Sequence, residues 1–186
     1  SRFVVHEFDT MTKLVDNFGF SSLNSSFGNS GGDPIVMWDN YDKRWVMCEY
    51  ESSSSNNLSF CVSETSDPTG SWYTFSITST GFPDYPKLGI YKNIYVAAVN
   101  ESGDPKALVL LKPNYNNISI PDDSNSINVS VEGFIVSFDS VAHFGFQIFP
   151  PFSTEYEIND NEFIIVRHID DDAPAFNGSG DIINDK

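Results

Sequence analysis

Positive charge is scarce in this chain: 10 Lys and Arg stand against 26 Asp and Glu over 186 residues, a formal net charge of −16. A surface of that sign repels phosphate backbones and anionic lipid headgroups, which argues against nucleic acid as a partner. No stretch approaches the ~18 consecutive apolar residues of a membrane-spanning helix, so no membrane insertion is expected. The start, Ser1-Arg2-Phe3-Val4-Val5, has neither the charged nor the apolar region of a secretion signal and reads as a processed or excised segment. Histidine is limited to His6, His143 and His168. No His-Glu-x-x-His, Gly-x-Ser-x-Gly or phosphate-cradling glycine loop is present, which leaves a nucleophilic triad without a basis. Cysteine is limited to Cys48 and Cys61, too few ligands for a metal centre by themselves.

Aromatic residues, by contrast, make up 15% of the chain, with 16 Phe and 8 Tyr, and Ser and Asn fill the stretches between short apolar runs. That mixture is typical of all-β proteins. A motif also returns at long intervals: Gly32-Asp33-Pro34-Ile35-Val36-Met37-Trp38, Pro83-Asp84-Tyr85-Pro86-Lys87-Leu88-Gly89, and Ala142-His143-Phe144-Gly145-Phe146. In each copy a polar residue (Asp33, Asp84, His143) precedes an apolar run. A repeat of roughly 40–50 residues built from strand patterns is the signature of propeller blades.

The expected fold is therefore all-β, a partial β-propeller of four-stranded antiparallel blades: a blade end over 1–31, complete blades over 32–81 and 82–141, and an incomplete blade over 142–186. In the first complete blade the strands are expected at 33–38, 44–50, 58–63 and 72–77. In the second they are expected at 85–91, 94–99 and 106–111, with a weaker outer strand at 117–120 or 127–131. Closed propellers have about four or more blades. The remaining blades are accordingly expected from the same polypeptide or from another protein chain.

The motifs Gly32-Asp33-Pro34-Ile35-Val36-Met37-Trp38-Asp39 with Arg44-Trp45, then Asp67-Pro68-Thr69-Gly70-Ser71-Trp72, then Phe82-Pro83-Asp84-Tyr85-Pro86-Lys87-Leu88-Gly89 resemble a family of secreted or cell-surface β-propeller domains. The later pieces Gly145-Phe146-Gln147 and Arg167-His168-Ile169-Asp170-Asp171-Asp172-Ala173 are similar to the same family. The resemblance spans nearly the whole chain and covers the first half of that propeller. It implies an extracellular or cell-surface module and carries over no catalytic set.

Candidate sites follow from charge and spacing. If each repeat opens at the same level, Asp33, Asp84 and His143 point to one mouth of the channel, where converging carboxylates need a cation, water or a basic side chain such as Lys87 among them. Otherwise each Asp caps turn amides. Asp170, Asp171 and Asp172 form the densest acidic run, which would take calcium as its cofactor or simply face water. Cys48 and Cys61 flank a polar stretch, so a hairpin would place them near one another as a cross-strand disulfide or as two free thiols. Six sequons, at Asn24, Asn57, Asn100, Asn117, Asn128 and Asn177, are candidate glycosylation sites in loops or at strand ends. Arg44 is expected to pair with Asp39 or Asp42 in its own hairpin.

The expected function is a non-enzymatic, extracellular β-propeller module for surface adhesion, recognition or assembly, with carbohydrate as the small partner. The alternative is a glycan-processing hydrolase using Asp33 and Asp84 at a channel mouth completed by missing blades.

Overall fold

The computed structural model describes residues 1–28, 30–52, 55–101, 104–137, 146–149 and 164–167. The described chain is all-β and its sheets are mainly antiparallel. A hairpin of β1 (Phe3–His6) and β2 (Lys13–Phe18) leads through the single-turn helix α1 (Phe20–Leu23) into the first large sheet. That sheet contains β3 (Ser30–Asp39), β4 (Arg44–Glu51), β5 (Asn57–Ser63) and β6 (Trp72–Thr78) in sequence order. The second large sheet contains β7 (Pro83–Tyr91), β8 (Ile94–Glu101) and β9 (Asp104–Leu111).

Period-two alternation explains how the two sheets meet. Val46 and Cys48 of β4, Leu58, Phe60 and Val62 of β5, and Tyr73 and Phe75 of β6 share one buried cluster. The same cluster contains Leu88 and Ile90 of β7, Tyr95, Ala97 and Val99 of β8, and Leu108 and Leu110 of β9. Phe60 stacks on Phe75 at 5.3 Å and faces Tyr95 of the other sheet at 6.4 Å. The opposite face of the first sheet carries Met47, Cys61 and Trp72, which pack with Phe20 and Phe27 and with Phe3 and Phe18 of the opening hairpin. Tyr73 thus fills the gap between the large sheets, while Trp72 and the half-buried Trp45 fill the gap on the other side.

The outer edge departs from expectation. Neither 117–120 nor 127–131 is the fourth strand of the second sheet; that strand is β11 (Gly133–Ser137), antiparallel to β9. The intervening chain makes a 3-10 turn at Tyr115–Asn117 and then adds β10 (Ser126–Asn128) to β6 in parallel. The first large sheet is therefore five-stranded. The physical reason is an open edge: β6 exposes unpaired amides and carbonyls, and an edge strand is a liability until covered. Trp72 N donates to Asn125 O at 3.0 Å and Val129 N to Thr74 O at 2.8 Å, while Ile120 and Val129 complete the shared core. Last, β12 (Phe146–Phe149) pairs antiparallel with β13 (Ile164–Arg167), and β12 runs beside β7 and β8.

The two large sheets share landmarks beyond strand order. In β3 the pairing steps from Gly32 opposite Tyr50 to Ile35 opposite Cys48, leaving Asp33 and Pro34 as a bulge. In β7 it steps from Asp84 opposite Asn100 to Lys87 opposite Ala98, leaving Tyr85 and Pro86. The residue before each proline is left-handed, with φ of 50° at Asp33 and 51° at Tyr85.

Each second strand also ends on a buried glutamate, Glu51 and Glu101. Glu51 accepts hydrogen bonds from Ser55, Asn57 and Ser59. Glu101 accepts from Ser79 and Thr80 at 2.9 and 2.7 Å, from Gly81 N, and from Lys106 at 3.2 Å. Glu101 thereby ties the crossover between sheets to the end of β8.

Burial alone would raise the Glu101 carboxyl, but the Thr80 and Ser79 hydroxyls and Lys106 together hold it below the ordinary glutamate value. A carboxyl depressed in the folded state contributes stability that is fully present above the unfolded pKa, ~4.3, and is lost as pH falls through the lower folded value. The urea midpoint of the wild type should therefore fall further between pH 6 and pH 3 than that of Glu101→Gln. Equal drops in the two proteins would refute this role.

Candidate functional site

Asp33 and Asp84 do not occupy equivalent positions in their strands. The bulge register aligns Asp33 with Tyr85 and Asp84 with Gly32. Both carboxylates nonetheless act electrostatically on Lys87 and on Tyr50. Burial pulls the Lys87 ammonium below the ordinary lysine value, and Asp33 and Asp84 oppose that pull. Burial raises the Tyr50 phenol, with Asp33 and then Asp84 adding to it. Lys87 Nζ lies 3.4 Å from the Tyr85 ring centroid and donates to Pro86 O at 3.1 Å. No group of three His, Cys, Asp or Glu is arranged to hold a metal among the described residues. His143 and the run Asp170, Asp171 and Asp172 lie outside the described residues, as does Asn177.

Register parity decides between the two readings of the cysteine pair. Cys48 lies opposite Phe60, so Cys61 falls opposite Met47 and points to the other face of the sheet. Both thiols are free and buried, Cys48 in the core between the large sheets and Cys61 against the opening hairpin. Burial, with Glu49 adding to it, pushes both thiols upward in pKa. Both side chains stay protonated and behave as small apolar groups.

The sequons are sorted by what their amides already do. Asn24 Nδ2 donates to Thr74 and to Asn128 Oδ1, and Asn57 Nδ2 donates to Glu51 while its Oδ1 accepts from Thr78. The Asn100 Oδ1 is buried without a partner. Asn117 is exposed on the 3-10 turn.

At the other end of β3 and β7 the turns line an open cavity of about 600 Å³ that the sequence reading missed. The turn after β3 contributes Tyr41 and Asp42, and β4 contributes Arg44. Lys92 and Asn93 come from the turn after β7, and Lys112 to Asn116 from the segment after β9.

Asp39, fully buried at the end of β3, organises this wall. Its Oδ1 accepts from the amides of Tyr41 and Asp42, an Asx turn that shapes the β3–β4 connection. Its Oδ2 meets Lys112 Nζ at 2.5 Å, and Lys112 also bonds Asp42 at 3.1 Å. Tyr95 and Tyr115 share a hydrogen bond at 3.0 Å beneath them, and burial drives both phenols well above the ordinary tyrosine range.

Arg44 pairs with neither Asp39 nor Asp42, contrary to the expectation from its hairpin. Lys112, 73 residues from Asp39 in sequence, takes both carboxylates. The Arg44 guanidinium instead lies over Tyr115 at 4.8 Å and Tyr73 at 5.6 Å and donates through Nη1 to Ser63 O at 3.0 Å. Cations resting on aromatic faces are stabilised by the ring quadrupole without a counter-charge.

Among the described residues no helix is long and apolar enough to cross a membrane. None of the family models, curated proteins or solved structures compared with this chain matches it.

Proposed function

We propose that this chain is part of a β-propeller that serves outside the cell or at its surface as a non-enzymatic recognition module for carbohydrate. The observation that supports the propeller reading is the pair of successive sheets with the same first three strands, the same bulge before a proline and the same buried glutamate. Their first strands lie beside one another, and β12 continues the series beside β7. Further sheets of the ring come from the same polypeptide or from another chain.

The recognition reading rests on the cavity between the turns, whose described lining is Tyr, Asn, Arg, Lys and Pro with one carboxylate, Asp42, already held by Lys112. Glycoside hydrolysis uses a pair of available carboxyl groups on either side of the bond to be broken. The protein on a glycan array should retain a subset of saccharides and release no reducing sugar from them. Turnover that disappears in Asp33→Asn/Asp84→Asn would replace this reading with a hydrolase.

A further inference from the structure

The strongest feature left unexplained is the placement of cations in so acidic a chain. Three of its 10 Lys and Arg residues, Arg44, Lys92 and Lys112, line one cavity. Lys112 is committed to Asp39 and Asp42. Arg44 is not committed to any carboxylate among the described residues: Nη1 bonds a backbone carbonyl, and neither Nε nor Nη2 has an acceptor there. Nε is, moreover, buried. Being sealed from solvent, Nε is out of reach of an acceptor in the cavity, whereas Nη2, which is neither sealed nor bonded, can receive one. The Tyr73 and Tyr115 rings hold the guanidinium plane in place, so little side-chain entropy remains to be lost when a ligand docks.

The rest of the wall points to the remainder of the ligand. Asn93, Asn114 and Asn116 are exposed amides that can both donate to and accept from hydroxyls. Tyr41 is 46% exposed, with its ring edge-on to Tyr91, and offers a flat apolar surface to the C–H face of a pyranose. A volume of about 600 Å³ lies in the range of small-molecule sites.

We propose that this cavity binds a carboxylate-bearing sugar, with Arg44 receiving the carboxylate, Lys92 adding charge at the rim, and the asparagine amides and Tyr41 holding the hydroxylated ring. The proposal rests on the recognition reading above and narrows it to one ligand class and one site. Nη2 and the second N–H of Nη1 form the edge of the guanidinium that remains for a carboxylate, a planar pair of donors that a lysine lacks. The negative field of the whole chain disfavours anions elsewhere on the surface, so affinity depends on this local reversal of sign.

The test is a titration of the 15N-labelled protein with glucuronate, glucose and inorganic sulfate, followed by amide and arginine Nε–H resonances. Glucuronate should shift the Arg44 Nε–H signal and the amides of 92–93 and 112–116, with glucose and sulfate each binding at least about tenfold more weakly. Arg44→Met and Lys92→Asn should each weaken glucuronate by a similar factor. Lys92→Asn guards against a folding defect in the other variant, because asparagine tolerates the positive φ of 39° at that turn. Glucuronate shifts that map elsewhere, affinities unchanged in both variants, or sulfate equal to glucuronate would overturn the proposal. Binding of neutral sugars away from Arg44 would overturn it while leaving the recognition reading standing. No saccharide binding on the array or here would remove both.

Discussion

Replacing Asp39 with alanine should lower the free energy of unfolding by about 3–5 kcal/mol, the cost typical of stranding one partner of a buried ion pair. Asp39 is fully buried and the Lys112 side chain is 3% exposed, so neither charge has water to fall back on once the other is gone. The substitution also removes the carboxylate that accepts the Tyr41 and Asp42 amides, so the β3–β4 turn loses its cap together with the ion pair. Asp42 offers Lys112 a second carboxylate at 3.1 Å, but it is more than one-third exposed and only partly replaces the first. The double variant Asp39→Ala/Lys112→Met should recover much of the loss, because removing both charges also removes their desolvation cost. Urea unfolding of the wild type, both single variants and the double variant measures the coupling. Additive single losses would show that the pair is not a unit.

Phe60→Ala should cost about 3–5 kcal/mol, the usual range for truncating a fully buried aromatic ring. Phe60 has no exposure and stands between Phe75 of its own sheet and Tyr95 of the other, at interplanar angles of 11° and 24°. Its removal opens a void at the contact between sheets, where no small rearrangement can refill it because Leu58, Val62 and Leu108 are themselves fully buried. Hydrogen exchange distinguishes a shared core from two independent ones. Amides of β8 and β9 should lose protection along with those of β4 to β6. Loss confined to the first sheet would show that the two sheets unfold separately.

Much of this architecture is readable from alternation. Val46, Cys48, Leu58, Phe60, Tyr73 and Phe75 fall on one parity of their strands, and polar turns separate the runs. The recurring motif marks the bulge in both first strands, although the register displaces the equivalence of Asp33 and Asp84 by one residue. The glutamates were overlooked because each sits past the last apolar residue of its strand, where a charged side chain reads as the start of a loop. Their recurrence 50 residues apart, at Glu51 and Glu101, was the available signal. The segment after β9 was misplaced because Ile118, Ile120, Ile127, Val129 and Val131 alternate like an outer strand. Alternation reports a half-buried extended chain and not which edge it will cover.

By itself, then, the amino-acid order determined the all-β class, the order of β3 to β6 in the first large sheet and that of β7 to β9 in the second. These depend on local periodicity and on a motif that repeats, both of which are carried by neighbouring residues. Tertiary structure alone decided that Cys48 and Cys61 occupy opposite faces, that β10 completes the first sheet, and that Lys112 rather than Arg44 neutralises Asp39. Each of these turns on register or on contact between residues far apart in the chain. A one-residue shift in pairing reverses a side chain's face, and a buried charge takes whichever partner the packing brings within reach.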